Sequence, residues 1–257
     1  MILLLSFILF VLLLLVGGEK GAISLLSLLA NIFTLSVIVL LLSKGYSPLS
    51  TTALGSLIIS GITLFYQNGR NEKTRAAFLT TILVMFFFSL FIFLIVYYSS
   101  SMGLNEIQVK KEEIQFYFNT NINISMLSVF ISITLLSCLG AVLDTALSIT
   151  SSLWEVKRHN PHLSPKEVMV SGYRIGRDII GTTVNTLLFA YLGESFLLFA
   201  YISMEKFSFE MLLNSKLLFQ NLSIMLLGSI FCLLSVPIAS FFMAYEISDK
   251  INLFKRK

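Results

Sequence analysis

The chain has 257 residues, of which 56% are hydrophobic and only 12% charged, and its formal net charge is +4. Soluble domains carry about 25% charged residues, so a mean hydropathy of +0.87 excludes a water-soluble enzyme. It also excludes a disordered tail, which needs low hydrophobicity and high net charge. What remains is an all-α, polytopic transmembrane helix bundle, because helices satisfy their own backbone polar groups in lipid. The basic excess then reflects cytoplasmic loops facing a lipid bilayer, and no nucleic acid is expected as a partner.

Uncharged runs locate the helices. They hold 23 residues between Lys20 and Lys44, 25 between Lys44 and Arg70, and 30 between Arg75 and Glu106. A further 30 separate Glu113 from Asp144, and 29 separate Lys216 from Glu246. A spanning helix needs about 20 mostly apolar residues, so each run holds one. The aliphatic segment 2–16 adds another, as does 178–203, which is apolar apart from Asp178, Asn185 and Glu194. The expected helices are therefore 2–18, 22–42, 48–67, 76–98, 124–152, 178–202 and 217–245, in a single domain covering 1–257. The first is expected to be an uncleaved helix, because it lacks the basic n-region and the small-residue cleavage site of a signal peptide.

Short basic loops face the cytoplasm. Arg70, Lys73 and Arg75 lie in loop 68–75, and Lys157, Arg158, Lys166, Arg174 and Arg177 in loop 153–177. Lys250, Lys255, Arg256 and Lys257 follow the last helix. Seven helices put all three on one side, giving a multi-pass cell-membrane protein with its amino terminus outside and its carboxyl terminus in the cytoplasm. Loops 99–123 and 204–216 then lie outside, and the first has room for one amphipathic turn around Glu106, Glu112 and Glu113. Tyr97, Tyr98 and Trp154 fall where interfacial anchors belong. Phe86, Phe87 and Phe88 are expected against lipid or neighbouring helices, and Pro237 is expected to kink the last helix.

Helix 124–152 carries a polar stripe. Ser137, Gly140, Asp144, Ser148, Ser151 and Glu155 step by three or four residues and so share one face. Counted from residue 152, Asp144 lies about two turns inside the cytoplasmic end. An acid at that depth is expensive, so it is expected to face protein or water. The next helix offers a second stripe of Arg174, Asp178, Gly181 or Thr182, Asn185 and Thr186, and helices joined by one loop tend to be neighbours. The two stripes are therefore expected to face each other. Asn185 or Thr182 would hydrogen-bond Asp144, and Arg174 or Arg177 would pair with Glu155 or Asp178. Asp144, Ser148, Thr182 and Asn185 are the candidates for a proton or ion relay. The same acid also reads as a hydrogen-bonded structural residue that fixes helix packing. Glu194, near the outer end, reads as a solvated rim position or a gate.

The cytoplasmic loop has its own local order. Asn160-Pro161 marks a turn. Ser164-Pro165-Lys166-Glu167 is a capping box with Pro at the first helical position. Val168, Gly172, Ile175 and Ile179 then share a face, and Gly172 and Gly176 form a GxxxG that permits close helix contact. Gly140, Gly172, Gly176 and Gly181 are the candidate packing glycines. Cys138 and Cys232 sit in apolar runs, which argues against a disulfide framework or a cysteine zinc site. His159 and His162 share a loop without cysteine, and are read as solvated residues and not metal ligands. No HExxH, GxSxG or P-loop pattern occurs, and only one acid lies deep. The expectation is no enzyme and no cofactor, with energy drawn from an ion gradient or a partner.

Several stretches carry a family resemblance. Gly140-Ala141-Val142-Leu143-Asp144, Ser148-Ile149 and Ser151-Ser152 are followed by Gly176-Arg177-Asp178-Ile179-Ile180-Gly181-Thr182 and Asn185-Thr186-Leu187-Leu188-Phe189-Ala190-Tyr191. Upstream stand Gly17-Gly18-Glu19-Lys20-Gly21, Lys44-Gly45-Tyr46-Ser47-Pro48 and Lys73-Thr74-Arg75-Ala76-Ala77. Together they resemble the YibE/F-like family of bacterial integral membrane proteins over most of the chain, in its shorter, YibF-type form. The resemblance implies a heteromeric partner, a longer YibE-type homologue; a homodimer is the other arrangement. A weaker resemblance is to one half of an RND-type permease of the SecD/SecF kind. There an acid-bearing helix also precedes a loop, an amphipathic start and a Thr/Asn-bearing helix. Asp144, Glu155, Arg177 and Thr182 to Asn185 stand in comparable places. The chain departs from that pattern in having no large extracytoplasmic domain between its first two helices. The resemblances imply a transporter or export-permease subunit driven by an ion gradient. The alternative is a non-transporting subunit that stabilises a complex with a longer homologue.

Overall fold

A computed structural model describes residues 1–99, 125–204 and 208–254. Seven α-helices account for nearly all of them: α1 (Ile2–Ser43), α2 (Pro48–Gly61), α3 (Glu72–Ser99), α4 (Met126–His159), α5 (Pro165–Met204), α6 (Phe209–Leu213) and α7 (Lys216–Phe254). A π-helical segment, Ile62–Tyr66, extends α2. The described residues contain no strand. Five described segments are long and apolar enough to cross a membrane: Ile2–Ser43, Pro48–Tyr66, Glu72–Ile95, Leu127–His159 and Leu218–Glu246. The expected span 178–202 lies inside α5, whose described part is not among those five. The expected amphipathic turn around Glu106, Glu112 and Glu113 falls outside the described residues, as do Lys255, Arg256 and Lys257.

The two expected amino-terminal helices occur as one element with a break. Gly18 has φ 54° and ψ −132°, a conformation open to glycine and strained for other residues. The bend brings the backbone of Gly21 against the Leu13 carbonyl, with no room for a side chain. Two rods therefore meet at a corner at Gly18, immediately followed by the charged Glu19 and Lys20. At the other end of α1 the amide of Gly45 (φ 85°) donates to the Leu42 carbonyl at 2.9 Å and that of Tyr46 to Leu41 at 3.2 Å. This is a Schellman stop, and Pro48 then opens α2 at a position where its missing N–H costs nothing.

The short link to α3 is capped on both sides. The Thr74 amide donates to Asn71 Oδ1 and the Asn71 amide to Thr74 Oγ1, both at 3.0 Å. This reciprocal pair satisfies donors that the helix start leaves free. The expected loop 153–177 shrinks to a five-residue turn, because α4 continues to His159 and α5 begins at Pro165. Asn160, which precedes Pro161, lies outside the helical region (φ −128°, ψ 75°), which a following proline ring disfavours. The capping box forms: the Ser164 amide donates to Glu167 Oε2 at 2.7 Å, and the Glu167 amide to Ser164 Oγ at 3.4 Å. These bonds hold the Glu167 carboxyl below the usual glutamate range. The amphipathic start thus runs directly into the next helix.

Helices α3, α4 and α7 pack against one another, α5 lies on α7 and α4, and α2 lies on the other side of α4 with α1 outside it. Leu135, Cys138, Val142, Ala146 and Ile149 recur every three or four residues along α4 and are buried, so this face makes the core. Phe88 is fully buried with its ring 4.3 Å from that of Phe231, whereas its neighbours Phe86 and Phe87 are exposed. Pro237 lies within α7, and the helix continues through it. Gly172 and Gly176 are both buried where α5 crosses α7. The first abuts Ser240 and the second Val236, each so closely that a methyl group would overlap the neighbour.

Candidate functional site

Charged side chains gather at one end of the bundle. There Arg75, in the first turn of α3, lies 3.8 Å from Glu246 of α7. Lys73 and Arg158 lie 5.6 Å and 5.4 Å from the centre of the Trp154 ring, within cation–π range. These contacts gather the basic start of α3, the basic end of α4 and the acid Glu246 of α7 into one layer. The Lys157 ammonium joins it, donating to the carbonyls of Pro161 at 2.8 Å and Leu163 at 2.6 Å.

Asp144 lies well above this layer. Since α4 runs to His159 and not to 152, the acid stands about four turns from that end and five from Met126, near mid-helix. The polar stripe is real as a surface but not as a helix–helix contact. Ser137, Gly140, Asp144, Ser148 and Glu155 are all exposed, opposite the buried core face of α4. Arg174, Asp178, Gly181, Thr182, Asn185 and Thr186 of α5 are exposed as well. No hydrogen bond joins Asp144 to Asn185 or Thr182 among the described residues. The Thr182 hydroxyl donates instead to the Ile179 carbonyl at 2.9 Å, and that of Thr186 to Thr182 at 2.8 Å. Nor do Arg174 and Arg177 pair with Glu155, which lies 3.8 Å from His159. The reason is rotational. The buried face of α5 is set by Gly172 and Gly176 against α7, and this turns its polar stripe outward. Of the four candidate packing glycines these two are packed, whereas Gly140 and Gly181 have nothing within 4 Å of where a side chain would start. The side chain of Glu194 lies outside the described set.

The cleft that Asp144 lines is formed with the amino-terminal helices. An open cleft of about 350 Å³ between α1, α2 and α4 is lined by Asn31, Ser36, Thr63, Gly140 and Asp144 among apolar side chains. Asn31 Nδ2 donates to Thr63 Oγ1 at 3.0 Å. Asn31 Oδ1 is buried and accepts no hydrogen bond. Thr63 belongs to the π-helical segment, where the Gln67 amide reaches back five residues to the Ile62 carbonyl. The wider turn leaves the Thr63 carbonyl to the Asn68 side-chain amide, at 2.9 Å. Single π turns of this kind are frequent at functional sites. Sequence reading missed Asn31 and Thr63. Asn31 did carry a signal, as the one amide side chain in the uncharged run between Lys20 and Lys44. Thr63 carried none, because a π turn has no periodicity to read.

On the buried side of α4, Thr145 Oγ1 lies 2.9 Å from Cys232 Sγ of α7. The Tyr191 hydroxyl of α5 donates to the Ser137 carbonyl at 3.4 Å and lies 3.9 Å from Cys138 Sγ. Both cysteines are buried free thiols. Among the described residues no three His, Cys, Asp or Glu side chains gather to hold a metal ion. The arrangement as a whole offers one mid-helix carboxyl, an amide and two hydroxyls on one open cleft. That set can exchange and hand on a proton or a small cation.

Neither curated proteins nor solved structures provide a match to this chain. The family model described as YibE/F-like protein matches residues 5–249, nearly the whole chain, and with these loop signatures and this helical bundle the chain belongs to the YibE/F-like family.

Proposed function

We propose that this chain is a subunit of an ion-gradient-driven transporter or export permease of the cell membrane, with Asp144 as the ion-carrying group. The observation that carries the reading is an acid at mid-helix on an open cleft that an amide and a residue of a π turn also line. Ionisable side chains inside spanning helices are rare and mark ion pathways. Broken or unwound helix segments at membrane depth are a recurrent way to build such sites. The layer of Lys73, Arg75, Arg158 and Trp154 is assigned to the cytoplasm by its basic side chains, with the carboxyl terminus inside and the amino terminus outside. The chain carries out no covalent chemistry in this reading.

The cleft and the polar faces of α4 and α5 are covered by a partner, a longer YibE-type homologue or a second copy. Polar groups at this depth are costly against hydrocarbon, which is the reason for a cover. The test is proton or ion flux in proteoliposomes holding the chain with its partner. Asp144→Asn is expected to abolish flux while leaving the complex intact, and unchanged flux sinks the relay.

The outward face of Gly140 and Gly181 favours a second reading, a non-transporting subunit that stabilises a partner. Under it, Gly140→Leu and Gly181→Leu break co-purification with the partner whereas Asp144→Asn leaves function unchanged. Gly172 and Gly176 are unsuitable for that experiment, because bulk there strikes α7 of the same chain.

A further inference from the structure

The unused acceptor of Asn31, on the cleft that Asp144 also lines, carries more than a location. Asn31 is fixed at one end by its bond to Thr63, so its amide cannot turn freely, and its Oδ1 is buried without a donor. A buried acceptor without a donor costs about 1–3 kcal/mol and calls for an explanation. The cleft that Asn31 lines contains one side chain able to supply a proton from a carboxyl group, Asp144. A neutral carboxylic acid donates one hydrogen bond; a carboxylate donates none.

We propose that Asn31 is the positioning residue for Asp144: when the carboxyl holds a proton, its O–H donates to Asn31 Oδ1 and ties α4 to α1, and when the proton leaves, the tie is released. The chain of contacts then runs from Asp144 through the Asn31 amide to the Thr63 hydroxyl in the π turn. Proton gain and loss at one carboxyl thereby becomes a change in how α1 and α2 are held against α4. Among the described residues no other titratable group lines the cleft: α1 supplies Asn31 and Ser36, α2 with its π segment supplies Thr63, and neither α3 nor α5 contributes a lining residue. From α7, Cys232 meets Thr145 behind Asp144. From α5, Tyr191 lies at Ser137 and Cys138, about two turns away.

The inference rests on Asp144 being the ion-carrying group, and its test reads the carboxyl without transport. Purified full-length protein is treated with dicyclohexylcarbodiimide, which modifies membrane carboxyls in their protonated form, and labelling at Asp144 is followed by peptide mass spectrometry against pH in potassium buffer. Removing the acceptor with Asn31→Leu is expected to move the labelling midpoint down by roughly 0.5–1 pH unit, the equivalent of one hydrogen bond to the neutral acid. Thr63→Val, which unpins the amide but leaves the acceptor, is expected to shift it in the same direction by less. An unchanged midpoint in both variants, each eluting as a single folded species, overturns the proposal. So does an upward shift, the sign expected if the amide N–H faced a carboxylate. Sodium replacing potassium is expected to leave labelling unchanged; sodium protection that disappears in Asn31→Leu identifies a cation site and also overturns it. A downward shift together with wild-type flux in Asp144→Asn would keep the pairing and sink only the permease reading.

Discussion

The crossing of α5 over α7 is the contact that turns the polar stripe of α5 outward, and Gly176→Ala tests it. An added methyl would overlap Val236 Cγ1 and meet its Cβ at 3.4 Å and Cγ2 at 3.5 Å. Val236 cannot swing away cheaply, because a β-branched side chain in a helix keeps one χ1 rotamer and this one is 2% exposed. Overpacking of this kind costs about 1–3 kcal/mol. Val236→Ala alone removes two methyl groups from a packed site and leaves a cavity, at a cost of about 1–2 kcal/mol in lost packing. In the double variant the new methyl at 176 enters the space left by Val236. The two costs should then cancel in large part, with a coupling energy of about 1–3 kcal/mol. The assay is equilibrium unfolding of the four proteins in bicelles. Costs that simply add, with coupling below about 0.5 kcal/mol, would show that residues 176 and 236 do not meet and that the rotational account of α5 is wrong.

Gly18→Ala should open the corner in α1. Spin labels at the exposed positions Leu9 and Leu29 should report a distance well short of the roughly 30 Å expected of twenty residues of straight helix, and the alanine variant should move towards that value. The start of α5 should be pH-sensitive through Glu167. Its folded-state value is depressed, so its contribution is present above the ordinary glutamate range near about 4.3 and is lost as pH falls through the folded value. Amide exchange in the first turn of α5 should accelerate there, and in Ser164→Ala it should be fast at every pH. Trp154 is the sole tryptophan, so its emission reports the basic layer directly. Lys73→Gln and Arg158→Gln should each shift that emission and cost about 0.5–1 kcal/mol, and an unchanged spectrum in both would remove the cation–π layer.

Much of the architecture could be read in one dimension. The runs between charges placed α2, α3, α4 and α7 to within a few residues at most ends, because a spanning helix needs a minimum apolar length. The capping box at Ser164 and Glu167 was legible because it is built from residues three apart. The step of Ser137, Gly140, Asp144 and Ser148 was legible as a face because a helix repeats every 3.6 residues. Its neighbour was not. The expected partners Asn185 and Thr182 are exposed on α5 and make no hydrogen bond with Asp144, whereas Asn31 and Thr63, more than eighty residues distant along the chain, line the same cleft.

The sequence by itself determined that this is a bundle of membrane-spanning length, which face of α4 is polar, and where α5 starts, since each follows from solvent or from bonds within one turn. Only the tertiary structure decided what lies opposite that face. In lipid every apolar helix surface is about equally well solvated, so hydropathy does not choose neighbours. They are chosen by close fits such as Gly176 on Val236 and by single polar pairs such as Asn31 with Thr63, and those depend on the rotation of whole helices.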